Sequence, residues 1–399
     1  MHICDLNNFY SPTGGGVRTY HNHKLAYFAA RDDIEYTLFM PSDRVEVEVH
    51  TPRVRLVHFP GVPITNYRFI VDVPGLRRVL AEYDPDLIEV GSPYVLPHVV
   101  QMATAGMRAV LTGFWHADYP RAYVQRPLNN LVSGLGDLGH DAAWWYAGKT
   151  YGKFAAVFAA ADCVVDGLVA HGIDRVYQTP LGVDTARFGR SKRDEALRAS
   201  VGAGPDRPLF FFPHRLIEEK GLSNVLRAWD RVYAQHKPVL VFAGDGPRRG
   251  LLDAFRAGRP DVHYLGYVDG ADKMAAWYAS ADVIFALSAF ETFGLSAAEA
   301  MASGCALVAA NQGAAAELVE KSGGGVTVPY NDSDALATAT IELLDGGQWP
   351  AMGEAAARFA HAHFDWATAF DRMVGFYDEI IDRGGVALQN LPRRWEPAS

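Results

Sequence analysis

Short apolar runs alternate with longer amphipathic segments along the first half of the chain. Buried parallel strands are apolar throughout, whereas helices repeat their apolar positions every three to four residues, so the runs predict strands and the segments predict helices. The predicted strands are His2–Leu6, Tyr36–Met40, Val54–Phe59, Asp86–Val90, Ala109–Gly113, Cys163–Asp166 and Val176–Pro180. The predicted helices are Val17–Ala30, Asn66–Glu82, Val95–Ala105 and Asp141–Ala161. This alternation favours a parallel α/β sheet.

The alternation starts again after a polar stretch, Ser191–Glu195, which is the best candidate for a linker. The strands predicted beyond it are Leu209–Pro213, Val239–Ala243, His263–Leu265, Val283–Leu287 and Ala306–Ala310. The helices predicted there are Ser223–Gln235, Ala297–Ala302 and Trp366–Asp382. The pattern therefore predicts an α/β fold with domains at residues 1–190 and 206–365 and a terminal helix within residues 366–385.

Composition narrows the class of protein. The chain has 399 residues, 49% of them hydrophobic and 21% charged, which is typical of a globular enzyme. A net charge of −9 argues against a nucleic-acid-binding protein, which needs a basic surface. Cys4, Cys163 and Cys305 lie among apolar residues, which favours buried thiols in a reducing, cytoplasmic compartment. We expect no signal peptide, since the first predicted strand begins at His2, and no apolar run reaches the ~18 residues of a membrane span.

Two glutamates, Glu291 and Glu299, follow the predicted strand Val283–Leu287 with seven residues between them. The pattern places Glu291 in the loop after the strand and Glu299 near the start of the next helix. Open α/β sheets bind ligands outside the carboxyl ends of their strands, and a helix start offers unpaired N–H groups. An acidic pair here can hold hydroxyl groups beside an anion. The alternative is a capping box of Ser296 with Glu299 and a solvated carboxylate at Glu291.

A basic pair, Arg215 and Lys220, follows the strand Leu209–Pro213. Arginine presents a planar fork of donors and lysine a compact charge, and together they suit a diphosphate. An exposed basic pair on a loop is the plain alternative.

Glycines follow two other strands. Gly15 and Gly16 lie between the first strand and the first helix, where backbone can approach a ligand closely. Gly244, Gly246 and Gly250 have a spacing that leaves an NAD(P)-dependent oxidoreductase open. No acidic residue ends the next predicted strand to bind a ribose, which weighs against that alternative.

Two further segments carry candidate chemistry in the first domain. His116 stands just beyond the strand Ala109–Gly113, at a place where a ligand-contacting histidine and a satisfied polar residue are both plausible. The aromatic run Ala143–Tyr151 leaves peripheral membrane contact or an acceptor surface open, although helix core is the favoured interpretation. Asp137 and Asp141 nearby weigh against contact with an anionic membrane.

These motifs resemble those of the GT4 class of retaining GT-B glycosyltransferases. The Glu-x7-Glu run Ala289–Gly304, the segments Phe212–Gly221 and Gly244–Pro247, and Leu265–Val268 occur in the order of that family, and Gly14–Arg18 is similar to its first-domain loop. The chain departs from the family at two positions: His214 stands where glycine is usual and Ser296 where proline is frequent. The resemblance implies two facing Rossmann-like domains with a terminal helix that crosses back to the first.

The resemblance also implies an activity, namely transfer of a hexose, with retention, from a UDP- or GDP-linked sugar to a hydroxyl of a lipid, glycan or small polyol. No metal and no cofactor beyond this co-substrate are expected. The implied catalytic residues are His116, Glu291, Arg215 and Lys220. The implied donor-binding residues are Gly15, Gly16, Arg215, Lys220, Tyr267, Val268, Glu291, Phe293, Gly294, Leu295 and Glu299. A nucleotide-sugar-binding protein without transfer is the non-catalytic alternative. The base, the sugar, the acceptor and the oligomeric state stay open.

Overall fold

The computed structural model describes residues 1–10, 15–64, 67–131, 134–385 and 393–396. The chain divides into two compact units. The first comprises Met1–Pro180 with Ala367–Glu396, and the second is built on Leu181–Trp366.

The first unit is an eight-stranded sheet with helices on its faces. Its strands are β1 (His2–Leu6), β2 (Glu35–Ser42), β3 (Glu46–Thr51), β4 (Val54–Pro60), β7 (Leu87–Val90), β8 (Val110–Phe114), β9 (Ala156–Ala159) and β10 (Val176–Gln178), with a small hairpin of β5 (Val62–Ile64) and β6 (Tyr67–Phe69). Its helices are α1 (Gly16–Ala29), α2 (Val73–Tyr83), α3 (Leu96–Ala103), α4 (Arg126–Leu131), α5 (Leu135–Tyr151) and α6 (Asp162–Ala170). The strand order is β10-β9-β8-β7-β1-β2-β4-β3, and β3 alone in this order runs antiparallel to its neighbour.

The second unit is a six-stranded parallel sheet with the order β13-β12-β11-β14-β15-β16. Its strands are β11 (Leu209–Pro213), β12 (Val239–Ala243), β13 (Val262–Tyr264), β14 (Val283–Ala286), β15 (Ala306–Ala310) and β16 (Gly325–Val328). Its helices are α7 (Glu195–Ser200), α8 (Leu222–His236), α9 (Arg249–Arg256), α10 (Ala271–Ser280), α11 (Leu295–Ala302), α12 (Ala314–Ser322), α13 (Ser333–Asp345) and α14 (Trp349–His363), after which α15 (Trp366–Asp382) returns the chain to the first unit. The α/β class with Rossmann-like sheets is confirmed.

The segment before β10 differs from its prediction. Cys163–Asp166 is not a strand but part of α6, and the strand is β9, which the sequence assigned to the end of a helix. Gly152 ends α5, and the four residues of β9 are buried. Alanine is the best helix former, so its abundance around β9 predicted helix, whereas burial between two layers selected a strand.

The segment before α2 also differs. The helix predicted over Asn66–Glu82 begins at Val73, because the Asp72 side chain accepts a hydrogen bond from the Gly75 amide at 2.9 Å and caps it. Tyr67–Phe69 is a strand of the small hairpin.

A buried charge cluster ties α15 to the core of the first unit. Lys24 Nζ lies 2.8 Å from Asp5 Oδ2 and 2.7 Å from Glu89 Oε1, and none of these side chains is exposed. The Tyr377 hydroxyl of α15 donates to Glu89 at 2.5 Å. Burial lowers the pKa of Lys24, but the two carboxylates outweigh it and the net pKa is raised, so Lys24 stays charged. The hydrogen bonding of this charged core is therefore completed by Tyr377 of α15.

Candidate functional site

Two predicted site residues meet at the carboxyl ends of β11 and β14. These strands are parallel neighbours, so the loops that follow them open at the same edge of the sheet. Lys220 follows β11, Glu291 follows β14, and the Lys220 ammonium lies 2.5 Å from Glu291 Oε1. Both side chains are partly buried. The positive charge of Lys220 lowers the pKa of Glu291, so the pair is ionised at neutral pH.

The helix beside this pair, α11, begins without a side-chain cap. Gly294 is its N-cap residue, in the left-handed conformation with φ 82°. Ser296 lies inside the helix, so the capping box proposed for Ser296 and Glu299 is wrong. The first N–H groups of a helix have no partner within it, and an anion can satisfy them. Leu295 and Ser296 contribute such groups at this end of the sheet.

Glu299 lies on the second turn of α11, partly buried. The hydroxyl of Tyr278, a buried residue of α10, donates a hydrogen bond to its carboxyl group. Burial raises the pKa of Glu299 to about 7. Sequence reasoning missed Tyr278, because nothing in its own segment distinguishes it from a core aromatic residue.

The two departures from the family pattern lie together. His214 is buried, and its Nε2 lies 2.7 Å from the Phe285 carbonyl, so Nε2–H donates and Nδ1 is left as an acceptor. Ser296 Oγ lies 3.5 Å from that Nδ1. Burial, followed by the charge of Lys220, lowers the pKa of His214 to about 4, so the imidazole is neutral. His214, Lys220, Glu291 and Ser296 line one small cavity of about 10 Å³, which has room for one water molecule.

The glycines after β12 have a structural reason. A Cβ at Gly244, where φ is +120°, would lie 2.3 Å from the His214 carbonyl oxygen, and one at Gly246 would lie 2.6 Å from that of Leu216. Only glycine lets these two loops pack together. The same loop holds the next one, since the Gly244 amide donates to the Gly266 carbonyl at 2.8 Å. Packing accounts for Gly244 and Gly246 but not for Gly250, where an added Cβ would meet nothing within 4 Å, and this weakens the dinucleotide alternative.

The other predicted residues of the second unit surround this edge. Arg215 is exposed beside His214, Tyr267 is 69% exposed, and Val268 is partly buried. Phe293 is buried, with its ring 5.2 Å from that of Phe364, and anchors the loop between Glu291 and α11.

The predicted residues of the first unit lie at the carboxyl edge of its own sheet. Gly15 is the exposed N-cap of α1 and Gly16 is the first residue of that helix, while Ser11, Pro12, Thr13 and Gly14 lie outside the described residues. His116 follows β8 with its ring stacked on Phe114 at 4.2 Å and edge-on to Tyr20 at 4.9 Å. Burial lowers the pKa of His116 well below its usual value, so it is a neutral imidazole at pH 7.

The described ranges contain no group of three or more His, Cys, Asp or Glu side chains that could hold a metal ion. Within the same ranges, no helix has both the length and the apolar content needed to cross a membrane.

Family models match both units of this chain. Residues 14–187 match the model described as "Glycosyltransferase Family 4", and residues 207–346 match "Glycosyl transferases group 1".

Curated relatives cover most of the chain. A GDP-mannose-dependent alpha-mannosyltransferase of Mycolicibacterium smegmatis is 30% identical over 86% of this chain and 86% of its own length. A protein of the same description from Corynebacterium glutamicum is 28% identical over 84% of this chain and 76% of its own length. Among solved structures, the sucrose-phosphate synthase of Thermosynechococcus elongatus superposes with a TM-score of 0.76 at 19% identity, covering 96% of this chain and 100% of that one.

Proposed function

The chain belongs to family 4 of the group 1 glycosyltransferases, and from this membership we propose that it transfers a hexose, with retention of anomeric configuration, from a nucleoside-diphosphate sugar to a hydroxyl acceptor. The family and the GT-B fold make the chain a glycosyltransferase that uses nucleotide sugars. The observation that supports the sites best is the meeting of Lys220, Glu291 and the start of α11 at one sheet edge.

We further propose GDP-mannose as the donor. Two relatives that cover 84% and 86% of this chain are described as GDP-mannose-dependent alpha-mannosyltransferases. The sugar of GDP-mannose is α-linked, so an alpha-mannosyl product from it requires retention. This supports the stereochemistry that the Glu-x7-Glu resemblance implies. The acceptor is a hydroxyl of a lipid, glycan or small polyol.

In the proposed mechanism Lys220 changes partners. In the structure its ammonium is neutralised by Glu291. A diphosphate at the start of α11 offers Lys220 a more highly charged partner, and Arg215 adds a fork of donors. Glu291, released from the ion pair, can then accept hydrogen bonds from the hydroxyls of the sugar.

Chemistry follows from this placement. The acceptor attacks the anomeric carbon on the face from which the diphosphate leaves, through an oxocarbenium-like state. The cationic side chains of Lys220 and Arg215 and the N–H groups at the start of α11 stabilise the negative charge that develops on the leaving phosphate. That phosphate takes the proton of the acceptor, and neutral His116 hydrogen-bonds the sugar.

The Lys220 and Arg215 assignments predict a loss of affinity. Lys220→Ala and Arg215→Ala should each weaken binding of the nucleoside diphosphate by about 1.5–3 kcal/mol, because each removes a charge-assisted contact to phosphate. Isothermal titration with GDP and UDP measures the change. Lys192→Ala, at an exposed position of the same unit, is the matched control. Unchanged affinity in both site variants would remove the assignment.

The pKa of Glu299 predicts a pH dependence. If Glu299 holds the ribose hydroxyls, its ionised form is the better acceptor, and that form is lost as pH falls through about 7. The affinity for the nucleoside diphosphate should therefore fall by up to about tenfold between roughly pH 8 and pH 6. Glu299→Gln should bind the nucleoside diphosphate more weakly at high pH and should lose this pH dependence. The phosphate of the ligand also titrates, but it changes the affinity of both proteins equally, so the difference between the two proteins reports Glu299. Glu291→Gln should keep the affinity and lose turnover; the reverse pattern would exchange the two roles.

Activity should survive removal of divalent metal ions with EDTA. The cationic side chains of Arg215 and Lys220 and the N–H groups at the start of α11 can neutralise the leaving diphosphate without a metal ion. Loss of activity on chelation, restored by Mg²⁺ or Mn²⁺, would contradict it.

A donor screen tests the proposed function as a whole. The full chain is incubated with GDP-mannose, UDP-glucose and UDP-galactose, and release of nucleoside diphosphate is measured with and without a mannoside acceptor. NMR of the first product reads its anomeric configuration, and a β-mannosyl product would refute retention. Binding of NADPH with no release from any donor would favour the oxidoreductase. Tight nucleotide-sugar binding without release would favour a non-catalytic binding protein.

A further inference from the structure

A second pocket lies in the first unit, on the outer face of α5. Its volume is about 460 Å³, and its walls include Asp141, Trp144, Trp145, Lys149 and His171. None of these residues belongs to the candidate site described above.

The order of the elements separates part of this pocket from the strand ends that carry His116. α5 leads into the amino end of β9, and His171 lies between the end of α6 and the amino end of β10. His116 follows the carboxyl end of β8. In a parallel sheet these are opposite edges, so one wall of the pocket faces away from the edge that carries His116.

The pocket presents an exposed aromatic face. The Trp145 side chain is 67% exposed, although the run Ala143–Tyr151 was predicted to be helix core. Its neighbour Trp144 is buried and fulfils that prediction, with its indole ring stacked on His171 at 3.9 Å and nearly parallel to it. Trp144 and His171 thus form a wall of stacked rings, and Trp145 is exposed beside it.

Polar groups flank that face. Asp141 and Lys149 lie four residues before and after Trp145, so all three share one side of α5. The Asp141 carboxylate is 83% exposed. His171 Nδ1 lies 2.7 Å from the Gly167 carbonyl, which leaves its Nε2 as an acceptor when the ring is neutral.

We propose that this pocket binds a saccharide unit of the acceptor or of the product glycan. A pyranose ring has an apolar C–H face, which suits an open indole, and a rim of hydroxyls, which suits a carboxylate acceptor and an ammonium donor. One carboxylate and one ammonium nearly cancel, so a neutral, hydroxyl-rich ligand fits better than an anionic lipid surface. The proposal rests on the proposed function, because it takes the enzyme's acceptor or product to contain sugar.

Titration with α-linked mannotriose tests the pocket. The full chain, saturated with nucleoside diphosphate to fill the candidate donor site, is titrated while tryptophan fluorescence or the NMR signals of the indoles are recorded. We expect saturable binding that Trp145→Ala weakens about tenfold or more. Leu138→Ala is the matched control, because Leu138 is 70% exposed on the same helix but outside the pocket. Asp141→Asn should weaken binding to a smaller extent.

The outcomes separate this proposal from the proposed function. Equal mannotriose affinity in the wild type and Trp145→Ala, or no saturable binding, overturns the pocket even when nucleoside diphosphate is released normally. Binding to phosphatidylglycerol vesicles, but not to mannotriose, that is lost in Trp145→Ala also overturns it, in favour of a membrane contact. Failure of every donor in the release assay refutes the proposed function, and the titration can still be read.

Discussion

Replacing His116 with alanine is expected to lower turnover by about 10²- to 10⁴-fold, if its hydrogen bond acts in the transition state. The imidazole is held between Phe114 and Tyr20, so its position is set before substrate arrives. Because burial keeps the pKa of His116 well below its usual value, the ring acts as a neutral hydrogen-bonding group. Steady-state rates with saturating donor and acceptor measure the effect.

The control for this variant is binding of the nucleoside diphosphate, whose proposed charged contacts, Arg215 and Lys220, belong to the second unit. His116→Ala should leave that affinity within about twofold of the wild type. Unchanged turnover would remove His116 from the catalytic residues and support a satisfied polar residue at a strand end. A turnover that drops together with the thermal unfolding temperature would point to a role in packing.

Replacing Lys24 with alanine is expected to destabilise the first unit by about 3–5 kcal/mol, because Asp5 and Glu89 would then be buried without a counter-charge. Hydrogen exchange of the β1 amides under increasing urea reports the stability of that unit separately from the second. Lys153→Ala, at an exposed position of the same unit, should change it by less than about 0.5 kcal/mol.

A compensating variant strengthens this test. Lys24→Met combined with Asp5→Asn and Glu89→Gln removes all three charges and should recover part of the lost stability, since an uncharged core avoids the penalty of unpaired ions. If Lys24→Ala alone unfolds at the wild-type urea concentration, the cluster does not contribute to stability as argued.

The second sheet was largely predictable because its strands are apolar runs bounded by turn residues. β11, β12 and β15 have the bounds that the sequence indicates. β9 was not predictable in this way. Its alanines have no strand preference of their own, and only the layers that bury it decide its conformation.

The candidate site was predictable in its motifs but not in its contacts. Lys220 and Glu291 carry recognisable local patterns, and adjacent strand ends bring them together. Tyr278 and His214 could not be assigned, because their roles depend on neighbours that only the fold supplies. A clearer signal was available for the buried cluster: Asp5 and Glu89 are charged residues in the middle of apolar strands, which calls for a buried counter-charge.

The Lys24 cluster also has a consequence for how the protein is made. Lys24 and Tyr377 are separated by 353 positions, so the ribosome has synthesised nearly the whole chain before they can meet. The second unit is built on one continuous segment, Leu181–Trp366, and can fold once its last helices, α13 and α14, have emerged and covered the core. The domain made first is therefore the last to be completed: Lys24 can already pair with Asp5 and Glu89, but the hydrogen bonds of Tyr377 with Glu89 and Lys24 form only when α15 arrives. A stalled or truncated chain that ends before α15 would carry a finished second unit joined to an unfinished first unit, and we expect chaperones and proteases to act on such a chain.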